Sequence, residues 1–139
     1  MSHSTTSAFG NPRLWTAVAG LAGNSSRAAI DSYMQALINL ELAFSCRTAD
    51  GNIEIKLVRF PGLDGECLPV FSDDASWQAF RPVLQGYDEV RRMRSVHLYR
   101  FVIEKMHDVS TVLIDPARPD FLRIPRSTIA LLAKSLEIA

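Results

Sequence analysis

The sequence lacks the residue patterns on which most catalytic and metal sites are built. It contains two cysteines, Cys46 and Cys67, and three histidines, and they are too scattered for the spacing of a zinc site. It has no glycine-rich phosphate loop and no nucleophile-elbow motif. We therefore expect no metal, no cofactor and no catalytic residue, and we interpret the chain as non-enzymatic. A cysteine–histidine pair brought together by the fold is the catalytic alternative that the sequence leaves open.

An excess of charge of either sign is also lacking. Lysine and arginine total 15, aspartate and glutamate total 15, and the formal net charge is +0. A protein that binds nucleic acid by neutralising phosphates normally carries a basic excess, at least locally. Binding to nucleic acid is therefore unlikely on the sequence alone.

Long hydrophobic runs are lacking as well. The apolar stretch at residues 14–22 is too short to span a bilayer, which needs about 20 residues. A secretory signal places basic residues before its apolar core, and only Arg13 fills that role here. We predict a cytoplasmic protein without a membrane contact. In a reducing cytosol the two cysteines are expected to be free thiols, although a cross-strand disulfide would be possible if their strands pair.

What is present is the composition of one folded domain. The chain has 139 residues, of which 47% are hydrophobic and 22% charged, enough to bury a core. Residues 1–26 are predicted to form a flexible N-terminus that contains a short helix, entered through Asn11 and Pro12. Residues 27–139 are predicted to form the domain itself.

The clearest local pattern is a strand that leads directly into a capped helix, at residues 68–80. The apolar residues before position 72 predict a buried strand, and Asp73 and Asp74 can accept hydrogen bonds from the first helical turn. Trp77 and Phe80 lie three residues apart and share one helix face. This corner is expected to pack a sheet against a helix.

Alternating apolar residues predict strands before this corner. The alternation at residues 42–46 and 53–57 is separated by Asp50 and Gly51, a pair typical of a tight hairpin. The strand that contains Pro69 follows, so we predict a meander of three antiparallel strands. Proline cannot donate to a sheet, which places it on an edge strand or at a bulge.

The second half of the chain continues the same alternation of elements. We predict a fourth strand at residues 90–94, a helix from Ser95, a central strand at 110–114, a turn at 115–119, a last strand at 121–124 and a final helix after Pro125. The predicted fold class is α/β (α+β), with a mostly antiparallel sheet of about five to six strands and helices packed against it.

Two stretches of the sequence resemble the N-terminal domain of the bacterial SseB family. They are LPVFSDDASW at residues 68–77, and VLIDP at 112–116 together with FLRIPRSTI at 121–129. The resemblance extends from near residue 30 to the C-terminus and implies an α/β domain without an established catalytic activity. The structural signature residues that carry it are Pro69, Phe71, Ser72, Trp77, Asp115, Pro116 and Pro125.

Four arginines lie close together in the chain, at Arg91, Arg92, Arg94 and Arg100. The first three lie on the predicted strand that leads into the helix start at Ser95. The arginines could form an interaction surface or hold a phosphate or carboxylate. Charged residues on a strand edge also prevent aggregation between sheets, and this is the structural alternative.

These observations lead to two hypotheses about function. The first is a non-catalytic protein-interaction module, such as an adaptor, a chaperone-like protein or an immunity-type binder, whose partner is another protein. The alternative is a sensor of a small ligand or anion that uses the strand from Arg91 to Arg94. The sensor predicts a concave pocket at Ser95 with an arginine directed into it.

Overall fold

The computed structural model describes residues 13–22 and 26–134. Several predictions fall outside the described residues. They concern the first part of the predicted flexible N-terminus, the helix entry at Asn11 and Pro12, and the end of the predicted final helix.

The described chain contains five α-helices, one 3-10 turn and six strands, which confirms the predicted α+β class. The helices are α1 Arg13–Ala22, α2 Arg27–Ile38, α3 Asp74–Phe80, α4 Ser95–Lys105 and α5 Arg126–Ala133, and the 3-10 turn is Arg81–Leu84. The strands are β1 Glu41–Ala49, β2 Asn52–Ile55, β3 Glu66–Val70, β4 Glu89–Arg94, β5 Val109–Ile114 and β6 Leu122–Pro125.

The strands form two small sheets that meet at one point. The first sheet has the order β2-β1-β4 and is antiparallel throughout. The second has the order β3-β5-β6, with β3 parallel to β5 and β6 antiparallel to it. Ala43 of β1 and Phe71, just after β3, exchange two backbone hydrogen bonds of 2.8 Å. The two sheets are therefore joined through β1.

The predicted meander is wrong at its third strand. β3 lies beside β5 in parallel, and only an isolated bridge between Val58 and Cys67 follows the predicted antiparallel course. The continuous apolar run of β5 is buried on both faces, which is typical of a central strand, and β5 lies between β3 and β6. Pro69 lies on this edge strand, next to a register shift at Glu66 and Cys67, as predicted.

Three local features of the sequence form the turns and helix starts for which their residue types are suited. Asp50 and Gly51 both have positive φ, 53° and 80°, which is the backbone of a tight hairpin between β1 and β2. Ser26 caps α2 by accepting a hydrogen bond of 3.2 Å from the N–H three residues later. Asp73 caps α3 in the same way, at 2.7 Å.

Two apolar clusters hold the elements together. The larger lies between β1, β3, β5 and the helices α1, α2, α4 and α5. The smaller lies under α3 and contains Ala43, Phe71, Trp77, Phe80 and Leu84. Trp77 also donates a hydrogen bond of 2.7 Å from Nε1 to Oγ of Ser45 in β1. The strand–helix corner therefore packs against the first sheet through the two aromatic residues that the sequence singled out.

Two apolar residues are exposed although the spacing of Ile30 with Met34 and Leu37, and the alternation at residues 53–57, favour a position facing the core. Ile30 of α2 is 44% exposed and Ile53 of β2 is 48% exposed. Leu37, near the end of α2, is the residue of that helix that is fully buried, and β2 is a short edge strand. Tyr99 was not predicted in the core, yet it is fully buried and donates a hydrogen bond of 2.9 Å to the carbonyl of Leu37.

Candidate functional site: the outer edge of β4 and the Asp115 network

Strand β4 is the last strand of the first sheet. It pairs with β1 on one side, and no strand among the described residues pairs with its other side. Five of its six residues are exposed and Met93 is half-buried, so neither of its faces is deeply covered. We call the row of backbone groups that faces away from β1 the outer edge of β4.

One hydrogen bond between the two chain segments shows which backbone groups of β4 face β1 and which face away from it. Just past the strand, Ser95 N–H donates a hydrogen bond of 2.8 Å to the carbonyl of Leu40. In an antiparallel pair, hydrogen-bonded and non-hydrogen-bonded positions alternate. The backbone groups of Met93 and Arg91 therefore face β1, whereas those of Val90 and Arg94 belong to the outer edge.

The arginines of β4 project from two different faces of the sheet. Arg91 lies opposite Phe44, on the face that contributes to the larger core. Arg92 and Arg94 lie opposite Ala43 and Glu41, on the face that carries α3. The four predicted arginines are thus exposed or half-buried, but the structure does not bring them together around one point.

The charge of β4 is locally positive although the chain is neutral. The strand carries three arginines against one glutamate, a net charge of +2. Glu89 accepts hydrogen bonds from the backbone and hydroxyl of Thr48, at 2.9 and 3.1 Å. Arg92 lies 3.7 Å from Glu41, and Arg100 of α4 lies 3.0 Å from Glu104. The six residues of β4 therefore carry a net positive charge, with Glu41 of β1 opposite Arg94 as the nearest cross-strand carboxylate.

The sensor alternative predicts an anion pocket at the helix start at Ser95. Ser95 is buried, and its backbone and hydroxyl both lie within hydrogen-bonding distance of Leu40. A groove of about 800 Å³ lies between α1 and α2, and a smaller cavity, of about 340 Å³, lies beside Arg81. Neither is lined by an arginine of β4.

A buried carboxylate, Asp115, ties three parts of the fold together. It follows β5 at a left-handed φ of 54°. Its Oδ1 accepts from the backbone N–H of Ser72 at 2.8 Å, and its Oδ2 accepts from the Ser72 hydroxyl at 2.5 Å. Trp15 of α1 donates from Nε1 to the same Oδ2 at 2.8 Å. α1, the end of β3 and the end of β5 therefore meet at one side chain.

Ser72 and Asp115, two of the residues predicted to be structural, contact each other directly in this network. Burial raises the pKa of Asp115, and the hydrogen bonds from Ser72 and Trp15 oppose this effect. The guanidinium carbon of Arg118 lies 3.7 Å from the centre of the Trp15 ring and covers it. A fully buried carboxyl group whose oxygens already have three donors is suited to holding a fold together, and it has no access to a substrate.

A second structural residue is Arg126, the first residue of α5, whose guanidinium lies against the end of α4. Its guanidinium donates to the carbonyls of Met106 and Val109, at 3.0 and 2.7 Å, and to those of Ile103 and Val102, at 3.2 and 3.4 Å. Val102 and Ile103 lie in the last turns of α4, where the carbonyl of Val102 also accepts from the N–H of Met106 at 3.0 Å, and Val109 begins β5, so the guanidinium joins the end of α4 to the start of β5. Sequence reasoning passed over this residue because only its spatial neighbours reveal its role.

The remaining candidates for chemistry are the cysteines and histidines, and of these the Cys46 thiol lies beside Arg91 of β4. Cys46 and Cys67 are free and buried, and burial raises the pKa of both thiols, which disfavours the reactive thiolate. His97 and His107 are exposed. Within residues 13–22 and 26–134 there is no group of three or more side chains able to hold a metal ion. Nor does any helix in those ranges have the length and apolar character to cross a bilayer.

The outer edge of β4 is therefore the candidate site. The sequence pattern identified the arginines but not the face of the sheet on which each of them lies, because that face depends on the register between β4 and β1. Comparison of the chain with family models, curated proteins and solved structures finds no match, so the resemblance to the SseB family stays a prediction.

Proposed function

We propose that the chain is a non-catalytic protein-interaction module and that it binds its partner along β4. The observation that carries the proposal is an edge strand exposed on both faces with a local net charge of +2. Such an edge is a template for pairing with another chain. Positive charge selects a partner that is acidic where it meets the strand.

The proposal predicts that charge reversal on β4 abolishes capture of a partner. The wild-type chain is used to capture proteins from native cell extract, beside an Arg91→Glu, Arg92→Glu, Arg94→Glu variant. A matched control carries Arg27→Glu, Arg59→Glu and Arg123→Glu, three exposed arginines on other elements. We expect the wild type and the control variant to retain the same protein and the β4 variant to lose it.

Binding of the recovered protein is then measured with both components purified. Affinity should fall as salt is raised, because the contact depends on exposed charges. Equal binding by the wild type and the β4 variant would contradict the proposal. A small anion that raises the melting temperature of the wild type but not of the β4 variant, with no protein recovered, would favour the sensor alternative.

A further inference from the structure

We infer that the partner supplies an extended segment that adds to the first sheet as a fourth strand, beside β4. This inference rests on the proposed function and specifies how the partner is recognised. The order β2-β1-β4 would become β2-β1-β4-partner. Backbone hydrogen bonds would supply the pairing, and side chains at alternate positions would supply the specificity.

The backbone of β4 sets the length of the added segment. Outward-facing groups occur at every second residue, and Val90 and Arg94 bound the row. α4 begins at Ser95, immediately after the strand, so pairing cannot continue beyond Arg94. The edge therefore accommodates a segment of about five residues.

The side chains of β4 set the sequence pattern of the segment. Residues directly opposite each other in a sheet lie on the same face and contact one another. Acidic residues are expected opposite Arg94 and Arg91. Apolar residues are expected opposite half-buried Met93 and opposite Val90, which is 38% exposed. Counted from the residue opposite Arg94, the predicted segment is acidic at positions 1 and 4 and apolar at positions 2 and 5.

The same charges argue against a second copy of this chain as the occupant. Pairing β4 with β4 of another copy would bring six arginines onto two adjacent strands, with two glutamates that each serve Thr48. Like charges directly opposite in a sheet destabilise the pair. The arginines therefore disfavour pairing of β4 with β4 of a second copy and favour pairing with an acidic segment.

Synthetic peptides of this pattern test the inference. The parent peptide has glutamate at positions 1 and 4, valine at positions 2 and 5, threonine at position 3 and short uncharged flanks. In a segment that runs antiparallel to β4, position 3 lies opposite Arg92, whose backbone groups face outward like those of Val90 and Arg94, so the N–H of position 3 faces β4 and the N–H of position 4 faces away. N-methylation at position 3 is expected to weaken binding about tenfold, because it removes one backbone hydrogen bond and places a methyl group against β4. N-methylation at position 4 is the matched control and is expected to leave affinity nearly unchanged.

The outcomes separate this inference from the proposed function. Binding by the parent peptide that is lost with Arg91→Glu and Arg94→Glu, together with the difference between the two methylated peptides, supports strand addition. Arginine-dependent binding with both methylated peptides equally strong overturns strand addition and leaves the acidic-partner proposal intact. Failure of the parent peptide to bind the wild type overturns the inference, while the capture experiment decides the proposed function independently.

Discussion

Replacement of Asp115 by alanine is expected to lower the free energy of unfolding by about 3 kcal/mol, because it leaves buried donors without an acceptor. The variant removes the acceptor of two Ser72 donors and of the Trp15 indole. It also puts a Cβ-bearing residue without a polar side chain at a φ of 54°, which costs about 1 kcal/mol. Urea denaturation measures the loss. Fluorescence of Trp15 should change as well, since its indole loses its hydrogen bond.

Two further variants separate the effect of losing the carboxylate from the effect of the positive φ at this position. Asp115→Gly removes the strain at positive φ but not the loss of the acceptor, so it should remain destabilised by about 2 kcal/mol. Asp115→Asn keeps one carbonyl oxygen for Ser72 and presents an amide donor towards the Trp15 N–H, so it should lie between glycine and the wild type. If Asp115→Gly is as stable as the wild type, the network does not hold α1 to the sheets.

Replacement of Arg126 by alanine is expected to cost about 2–3 kcal/mol, since hydrogen bonds to charged groups contribute more than neutral ones. The guanidinium serves four carbonyls at the end of α4 and at the start of β5, and its positive charge also suits a helix C-terminus. Arg126→Lys should recover only part of the loss, because one ammonium group cannot reach as many acceptors. The measurement is again the free energy of unfolding in urea.

Arg59→Ala is the matched control for this prediction. Its side chain is 76% exposed and lies 3.6 Å from Glu66, the geometry of a weak surface ion pair. Its removal should change stability by less than about 0.5 kcal/mol. Equal effects of Arg59→Ala and Arg126→Ala would mean that the carbonyl contacts of Arg126 do not stabilise the end of α4.

Local signals in the sequence predicted the elements well because each has a short-range physical cause. The Asp50–Gly51 hairpin and the caps at Ser26 and Asp73 depend on residues only two or three positions apart. The burial of β5 on both faces was equally predictable, since a continuous apolar run has no solvent face. The positions of these helices and strands could therefore be predicted from the sequence.

Strand order and the site required contacts that are distant in the chain. The parallel neighbour of β3 lies about forty residues later, and an apolar run does not specify which strand it joins. The division of the arginines between two faces depends on the pairing of Arg91 with Phe44, which a one-residue shift would reverse. The roles of Trp15 and Arg126 likewise appear only when α1 and α4 have been placed.

Residue-resolved amide hydrogen exchange of β4 tests most directly the claim that its outer edge pairs with a partner strand. In the chain alone, the amides of Arg91 and Met93 should exchange slowly because they face β1, and those of Val90 and Arg94 should exchange fast. Saturation with the parent peptide should slow Val90 and Arg94 by about tenfold or more. Peptide binding that shifts the arginine side-chain signals but leaves the exchange of Val90 and Arg94 unchanged would contradict the account.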